Sequence, residues 1–182
     1  MEKPSKLSEV NAHIAALLAS KSFKAKEKVI QISQHLLDNQ IKVDEIVAFA
    51  AMQKGKNKAT LIESMEFVSK IKPEIVSRKA FLFVSQSLKD DEARVKWESA
   101  KVIRNSAHLF PKLLKEAIVN LLSNTEHDGT VVRWSAAGAL AAIISCKTSL
   151  NKELIPAVIS IQDREQDNAI KKIYYKALKK YK

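Results

Sequence analysis

Apolar residues recur every three to four positions along most of this chain, which places them on one face of an α-helix. Short polar links separate the segments that show this spacing. Runs of β-branched residues bounded by turn signals do not occur, so the pattern predicts no sheet. Ten helices are predicted, over residues 7–19, 24–37, 43–52, 59–71, 73–88, 92–109, 111–122, 129–144, 150–161 and 167–181.

Glycine and proline mark several predicted boundaries. Gly55 lies in a loop over 54–57 and is predicted to follow a helix C-terminus, where a left-handed residue is common. Pro73 and Pro111 are each predicted to open a helix at its first position, because the N–H that proline lacks has no helical partner there.

The second half of the chain repeats itself. The segment Val95–Ile103 returns 37 residues later as Val132–Leu140, and a weaker copy follows 38 residues on at Ile170–Leu178. Asp91 and Asp128 lead the first two copies. We expect Asp128, and Asp91 or the aspartate before it, to cap the helices that follow. A period in the high thirties with helical spacing inside each copy is typical of an α-solenoid of helix pairs.

The first half of the chain matches this repeat less well. At an offset of 35, residues 62–68 fall under 97–103, with a fair match in apolarity and a weak one in identity. Terminal repeats are expected to be atypical because they must cap the stack. The prediction is a single domain over 1–182, with helix pairs near 7–38, 42–72, 74–109, 111–147 and 150–181.

The residues of the repeat carry a family resemblance. Asp128 followed by Val132–Leu140 resembles the second helix of a HEAT repeat, and Leu154–Ile159 resembles the matching first helix. Residues 91–100 keep the same pattern, with lysine in place of arginine. The resemblance implies an all-α, right-handed α-solenoid of about five HEAT-like, armadillo-like helix pairs. HEAT proteins are scaffolds and adaptors, in which the second helix of each pair lines the concave face.

Composition adds a positive charge to this fold. The chain has 31 lysines and arginines against 20 acidic residues, which gives a formal net charge of +11. The surplus is spread along the chain. A basic surface attracts nucleic acid, an acidic protein or anionic lipid, although a net charge of this size also serves solubility alone.

Signals of secretion and membrane insertion are absent from the sequence. Cys146 is the single cysteine, which excludes an internal disulfide and is typical of a reduced compartment. The N-terminal residues are polar, without the apolar stretch of a signal peptide, and no window approaches 18 uncharged apolar residues. We therefore expect a cytoplasmic protein.

When the repeats are aligned, one position is basic in each of the last three repeats. Lys96, Arg133 and Lys171 occupy this position. The resemblance implies that the basic residue pairs with the leading aspartate of a neighbouring repeat, and Asp91 and Asp128 are available for this role. The ladder is therefore interpreted first as structural, although Arg133 is also a candidate contact.

A second set of positions forms the candidate binding surface. Trp97, Lys101 and Arg104 are spaced so that they share one helix face, with His108 one turn further. Trp134 and Gly138 are predicted on the same face one repeat later, and Lys172, Lys176 and Lys179 in the last repeat. Tryptophans among cations suit an acidic peptide with an apolar anchor, or a nucleic acid with accessible bases. In the alternative interpretation, both tryptophans fill space between repeats. The predicted binding residues are Trp97, Lys101, Arg104, Arg133, Trp134 and Lys172.

The leading functional prediction is a non-catalytic scaffold or adaptor whose concave face holds an acidic protein partner. A nucleic-acid-binding module on the same face is the first alternative, and a divergent glycosylase is the second. The chain is also similar to the HEAT-like alkylpurine DNA glycosylases, whose groove has a catalytic aspartate one turn from a tryptophan. Here Lys101 and Gly138 stand four residues after the two tryptophans, and Glu98 is expected to point about 100° away from Trp97. No catalytic residue, metal or cofactor is predicted.

The last predicted helix is both basic and aromatic. It carries Tyr174, Tyr175 and Tyr181, with five lysines over 171–180. Such a helix suits contact with an anionic surface. A last repeat also requires a polar outer face that keeps the stack soluble, and this cap is the favoured interpretation.

Overall fold

Residues 6–181 form ten α-helices. The computed structural model describes residues 6–181, and within that range the helices are joined by turns and short 3-10 segments without any strand. None of these helices is long enough and apolar enough to cross a membrane. The helices are α1 (Lys6–Ala19), α2 (Ala25–Leu37), α3 (Val43–Ala51), α4 (Gly55–Ile71), α5 (Arg78–Ser87), α6 (Ala93–Ser106), α7 (Leu114–Asn124), α8 (Thr130–Ser145), α9 (Asn151–Arg164) and α10 (Asn168–Tyr181).

Successive helices pack as pairs, and the pairs stack in chain order. The second helices of the pairs, α2, α4, α6, α8 and α10, lie side by side in one row and form the most extensive helix contacts. The first helices form a looser row, in which α1 contacts α3, α3 contacts α5, and α5 contacts α7. This arrangement confirms the predicted α-solenoid of about five helix pairs.

The buried positions of the second helices set the register of the repeats. Ile103 of α6 and Leu140 of α8 are fully buried and lie 37 residues apart. Met65 of α4 is fully buried as well, 38 residues before Ile103, and Ile62 precedes the buried Ala100 by the same interval. The offset of 35 predicted for the first half is therefore wrong. That alignment matched apolar residues alone, whereas an offset of 38 matches the side chains that actually enter the core.

The loop predicted around Gly55 is also wrong. Gly55 is the first residue of α4, which begins four residues before the predicted start at residue 59. Its φ of 51° lies in the left-handed region, which glycine adopts without a steric penalty. The glycine therefore turns the chain into α4 and does not mark the end of α3.

The two prolines open short 3-10 turns and not the predicted α-helices. These turns are Pro73–Ile75 and Pro111–Leu113, and α5 and α7 begin only after them. Before α5 the backbone is extended at Ser77, whose Oγ accepts a hydrogen bond from the Ala80 N–H at 3.0 Å. This bond satisfies a free N–H at the helix start, so α5 begins where serine can cap it.

The aspartate caps predicted for α6 and α8 are wrong. Glu92 precedes α6 and Gly129 precedes α8, and neither residue makes a side-chain capping bond. Asp90 Oδ1 instead accepts the N–H of Glu92 at 3.0 Å and holds the turn before α6. Asp128 contributes its backbone carbonyl, which accepts a hydrogen bond from Arg133 at 3.0 Å.

The last repeat is not the polar cap that its lysines predict. Tyr174 is fully buried, and its hydroxyl has no hydrogen-bond partner among the described residues. Tyr175 and Tyr181 of α10 are 55% and 42% exposed, and Ile159 of α9 is 46% exposed. The outer side of the last helix pair is therefore apolar over part of its surface, and Lys179 borders this apolar part.

Candidate binding face

The candidate residues lie on the row of second helices. We call the exposed surface of α4, α6, α8 and α10 the second-helix face. Trp97 on this face is half-buried, and Trp134 is 38% exposed. Neither tryptophan belongs to the buried core, so the interpretation that both fill space between repeats is wrong. The predicted or newly found residues on this face are Trp97, Lys101, Arg104, Trp134, Lys172, Lys176 and Lys180.

A buried carboxylate lies beside Trp97. The indole Nε1–H of Trp97 donates to Glu98 Oε1 at 2.7 Å, and the Lys101 ammonium donates to Glu98 Oε2 at 3.0 Å. The predicted separation of Trp97 and Glu98 is therefore wrong. Adjacent residues do diverge around a helix, but both side chains are long enough to meet. Burial raises the pKa of Glu98, and the hydrogen bonds from Lys101 and Trp97 offset this effect only in part.

Further ion pairs join α4 to α6 around this carboxylate. Lys101 Nζ lies 3.8 Å from Glu66 Oε2, and Arg94 is ion-paired with Glu63. Three carboxylates thus meet two cations, and Glu98 and Glu66 are only 4% and 8% exposed. Lys101 therefore bridges two helices, and its charge is already paired within the protein. Within the described residues, no three His, Cys, Asp or Glu side chains are grouped to hold a metal ion.

Arg104 and Trp134 form a contact between α6 and α8. The guanidinium carbon of Arg104 lies 5.7 Å from the centroid of the Trp134 ring, within the range of a cation–π interaction. Gly138 lies beneath this arginine, since a Cβ at that position would come within 3.2 Å of Arg104 Cδ. The glycine therefore makes room for the arginine side chain that covers the tryptophan.

An open groove separates α8 from α10. Its floor consists of small side chains, and lysines of α10 form its rim. The groove has a volume of about 370 Å³ and is lined by Arg104, Gly138, Ala141, Ala142, Ser145, Ile173, Lys176, Ala177 and Lys180.

The lysines of α10 are the available cations of the face. Lys172, Lys176 and Lys180 recur every four residues on one side of α10, and all three are exposed. None of them has an acidic side chain within 4 Å among residues 6–181. Lys180 lines the groove in place of the predicted Lys179, which lines a different cavity beside Tyr175. The four-residue spacing from Lys172 and Lys176 would have identified Lys180.

Arg133 points away from the second-helix face. Its Nε lies 3.1 Å from Glu165 Oε2, and its guanidinium also donates to the backbone carbonyls of His127 and Asp128 at 3.0 Å. Burial raises the pKa of Glu165, but hydrogen bonds from the Asp167 backbone and from Arg133 outweigh it and leave the pKa lowered. The prediction of Arg133 as a binding contact is not supported by this geometry, because the guanidinium holds α8 to the next repeat.

Of the three residues in the predicted basic ladder, only Arg133 has an acidic partner, because neither Lys96 nor Lys171 lies within 4 Å of an acidic side chain among residues 6–181. Arg133 pairs with Glu165, which follows it by 32 residues, and Lys58 pairs with Asp90 at 2.8 Å across the same interval. Lys96 instead donates to the backbone carbonyl of Leu88 at 3.3 Å. The predicted aspartate partners at 91 and 128 are therefore wrong, because the loops place residues 90 and 165 closer to the basic side chains.

Comparison with known proteins identifies the fold. No family model matches the sequence, and no curated protein matches it. A solved structure, "Designed armadillo repeat protein YIII(Dq.V1)4CPAF in complex with peptide (KR)4", is similar with a TM-score of 0.74 and 17% sequence identity, over 94% of this chain and 81% of that chain. At this identity the likeness concerns the fold alone. The chain has an armadillo-like α-solenoid fold.

Proposed function

We propose that this protein is a non-catalytic binding scaffold that holds an acidic protein segment on its second-helix face. The observation that carries the proposal is the row of exposed lysines on α10, at positions 172, 176 and 180, which lacks acidic partners among the described residues. Cations that no internal carboxylate neutralises are available to pair with the carboxylates of a partner.

The groove between α8 and α10 supplies space for the partner's side chains. Small residues on its floor allow a peptide to approach the helices, and the Arg104–Trp134 contact at its edge provides an aromatic anchor. The designed armadillo protein of similar fold is in complex with a peptide of lysine and arginine. That likeness supports a peptide as the class of ligand, whereas the lysines of this chain favour a peptide of the opposite charge.

The proposal narrows the set of contact residues. We assign the contacts to Arg104, Trp134, Lys172, Lys176 and Lys180, with Trp97 at the margin. Lys101 lies 3.0 Å and 3.8 Å from two glutamates, so a ligand would have to compete with both of them. Its contribution to binding is therefore expected to be small.

Binding of single-stranded nucleic acid is the second candidate function. Trp134 is 38% exposed and lies beside Arg104, which also lines the groove that the lysines of α10 border. Bases stack on exposed aromatic rings while lysines contact phosphates, so the same surface suits a single strand.

Catalysis by the carboxylate beside Trp97 is not part of the proposal. Glu98 is 4% exposed, and each of its oxygens already accepts a hydrogen bond from a protein donor. A general base or nucleophile must reach the substrate, and this carboxylate is held in an ion pair with Lys101 of the same helix.

Fluorescence anisotropy with three labelled probes tests the proposal. The probes are a glutamate-rich peptide with one leucine, the same peptide with lysine for glutamate, and a single-stranded oligonucleotide. The test variant is Arg104→Glu/Lys176→Glu. The control is Lys79→Glu/Lys115→Glu, which makes the same charge change at exposed lysines of the first helices α5 and α7.

We expect the acidic peptide to bind the wild-type protein and to lose at least about tenfold in affinity in the test variant, with a smaller loss in the control. Equal losses of affinity in the two variants would mean that the peptide binds only because of the protein's net charge, and would contradict a defined site. Tighter binding of the oligonucleotide than of the acidic peptide, with a steep salt dependence, would favour the second candidate. Preference for the lysine-rich peptide would contradict both.

A further inference from the structure

The outer side of the last helix pair exposes a connected apolar surface, which we call the end face. Ile159, Tyr175 and Tyr181 are its most exposed members, at 46%, 55% and 42%. They surround a cavity of about 330 Å³. The end face consists of Ile155 and Ile159 of α9 with Tyr175, Leu178 and Tyr181 of α10.

The repeat register explains why these positions are apolar. The three end-face residues of α10 lie 38 residues after Ala137, Leu140 and Ile143 of α8, which are all fully buried. Helix α8 packs between α6 and α10, so the residues at these positions of α8 are buried against neighbouring helices. The end face is therefore the equivalent of an interface between repeats.

The α9 half of the end face follows the same rule. Ile155 and Ile159 lie 37 residues after Ile118 and Leu122 of α7. Ile118 is 9% exposed, and Leu122 packs against the core. Within residues 6–181, Ile159 is 46% exposed and Ile155 is only partly buried, so these isoleucines are less covered than their equivalents in α7.

We propose that the end face binds an amphipathic helix of a protein partner, with acidic residues beside its apolar stripe. A helix fits because helices cover the equivalent positions inside the solenoid. An apolar stripe would remove the exposed isoleucine and tyrosine side chains from water, which stabilises the complex in proportion to the buried apolar area.

Charge selects the flanking residues of the partner helix. Helix α10 contains five lysines and no acidic residue. Lys172 and Lys179 are exposed and lie three residues before and four residues after Tyr175, so they flank the apolar surface on its own side of α10. Acidic residues on the partner helix would complement them. A second copy docked through the same face would bring two lysine-rich helices together, which opposes self-association.

The test uses the full chain and a synthetic helix. The probe is a labelled peptide of about 18 residues, five turns of helix, with leucines on one stripe and glutamates beside it. A matched peptide carries lysine in place of each glutamate. Ile159→Glu and Lys179→Glu alter the end face, and Val119→Glu makes a comparable apolar-to-acidic change at an exposed position of α7. Circular dichroism establishes that each variant is folded.

We expect Ile159→Glu to weaken binding of the glutamate peptide at least about tenfold, Lys179→Glu to weaken it less, and Val119→Glu to leave it unchanged. The lysine peptide should bind more weakly than the glutamate peptide. No binding of the glutamate peptide, or equal effects of Ile159→Glu and Val119→Glu, would overturn the proposal.

Two further measurements separate this proposal from its competitors. If sedimentation of the chain alone revealed a dimer that Ile159→Glu dissociates, a second copy would cover the end face and the proposal would be wrong. If Arg104→Glu/Lys176→Glu abolished peptide binding and Ile159→Glu did not, the peptide would occupy the second-helix face instead. Lys172 borders both surfaces, but the two sets of variants share no residue, so the outcomes for the two surfaces can be distinguished.

Discussion

The second-helix face contains two helix junctions of opposite electrostatic character. At the α4–α6 junction, three glutamates meet Arg94 and Lys101 in a network that is partly or wholly buried. At the α8–α10 junction, small side chains line an open groove, and its lysines have no acidic partner among the described residues. The first junction uses its charges to hold two helices together, whereas the second leaves its charges available to a ligand.

The two junctions show that a positive net charge does not reveal which basic side chains are free of internal ion pairs and can contact a ligand. Lys101 and Lys176 occupy the same repeat position, 75 residues apart, as the offsets of 37 and 38 require. Lys101 is held by two glutamates, and Lys176 is exposed at the rim of the groove. A basic composition therefore does not identify a binding site until the internal ion pairs are known.

The largest expected effect is a difference in stability between the two junctions. Glu98→Ala is expected to lower the free energy of unfolding by about 2 kcal/mol, because Trp97 loses its acceptor and Lys101 keeps only the more distant glutamate. Lys176→Ala should change the stability by less than about 0.5 kcal/mol, as expected for a surface position. Urea unfolding followed by circular dichroism measures both, and equal effects would break the comparison.

Two buried glutamates should contribute to the pH dependence of the free energy of unfolding with opposite signs. The pKa of Glu165 is lowered from 4.5 in the folded protein, so its contribution is present above that value and is lost as the pH falls. The pKa of Glu98 is raised from 4.5, so its contribution is present below that value and is lost as the pH rises through the folded pKa.

Replacing each glutamate by glutamine, which has nearly the same shape but does not titrate, tests the sign of its contribution. Glu165→Gln should flatten the loss of stability on acidification, whereas Glu98→Gln should make that loss steeper than in the wild type. Urea midpoints measured between about pH 3 and pH 7 cover both transitions. Slopes that change in the same direction in the two variants would contradict the assignment of opposite shifts.

A smaller effect is expected beneath Arg104. Gly138→Ala should raise the free energy of unfolding by about 0.5–1 kcal/mol, because alanine favours the interior of a helix over glycine. The new Cβ would meet only Arg104 Cδ at 3.2 Å and Nη1 at 3.5 Å, on a flexible side chain that can move. Ala141→Gly in the same helix is the reverse control and should be destabilising. A loss of stability in Gly138→Ala would indicate that Arg104 is fixed in place.

The smallest expected difference is spectroscopic. In Trp97→Phe the remaining Trp134 should be quenched efficiently by acrylamide, because its ring is 38% exposed. In Trp134→Phe the remaining Trp97 should be quenched less, since it is half-buried and bonded to Glu98. Equal quenching would remove the distinction between a tryptophan of the α6 network and one at the groove.

The sequence predicted the helices well and their starts poorly. Apolar spacing depends on which side of a helix enters the core, so it located all ten segments. The starts depend on local bonds, such as the Ser77 cap of α5 and the positive φ of Gly55, which apolar periodicity does not contain. The prediction for α4 was wrong both in its first residue, 59 in place of 55, and in its repeat offset, 35 in place of 38.

The helix face that carries the candidate residues could be predicted from the sequence, whereas the partners of their charges could not. The helical spacing of Trp97, Lys101 and Arg104 correctly assigned them to one face. Arg133 lies one residue from Trp134 along the chain, but its guanidinium turns to Glu165, 32 residues away. No local pattern identifies a partner at that distance, because loop geometry decides which of several acidic residues comes within reach.

The sequence by itself determined the architecture of this protein. Its period in the high thirties and its helical spacing specify stacked helix pairs, because each pair can bury its apolar side only against its neighbours. Only the tertiary structure decided which charges remain available and which apolar residues remain uncovered. Ion pairing and burial depend on side chains brought together from different repeats, and those distances are set when the helices pack.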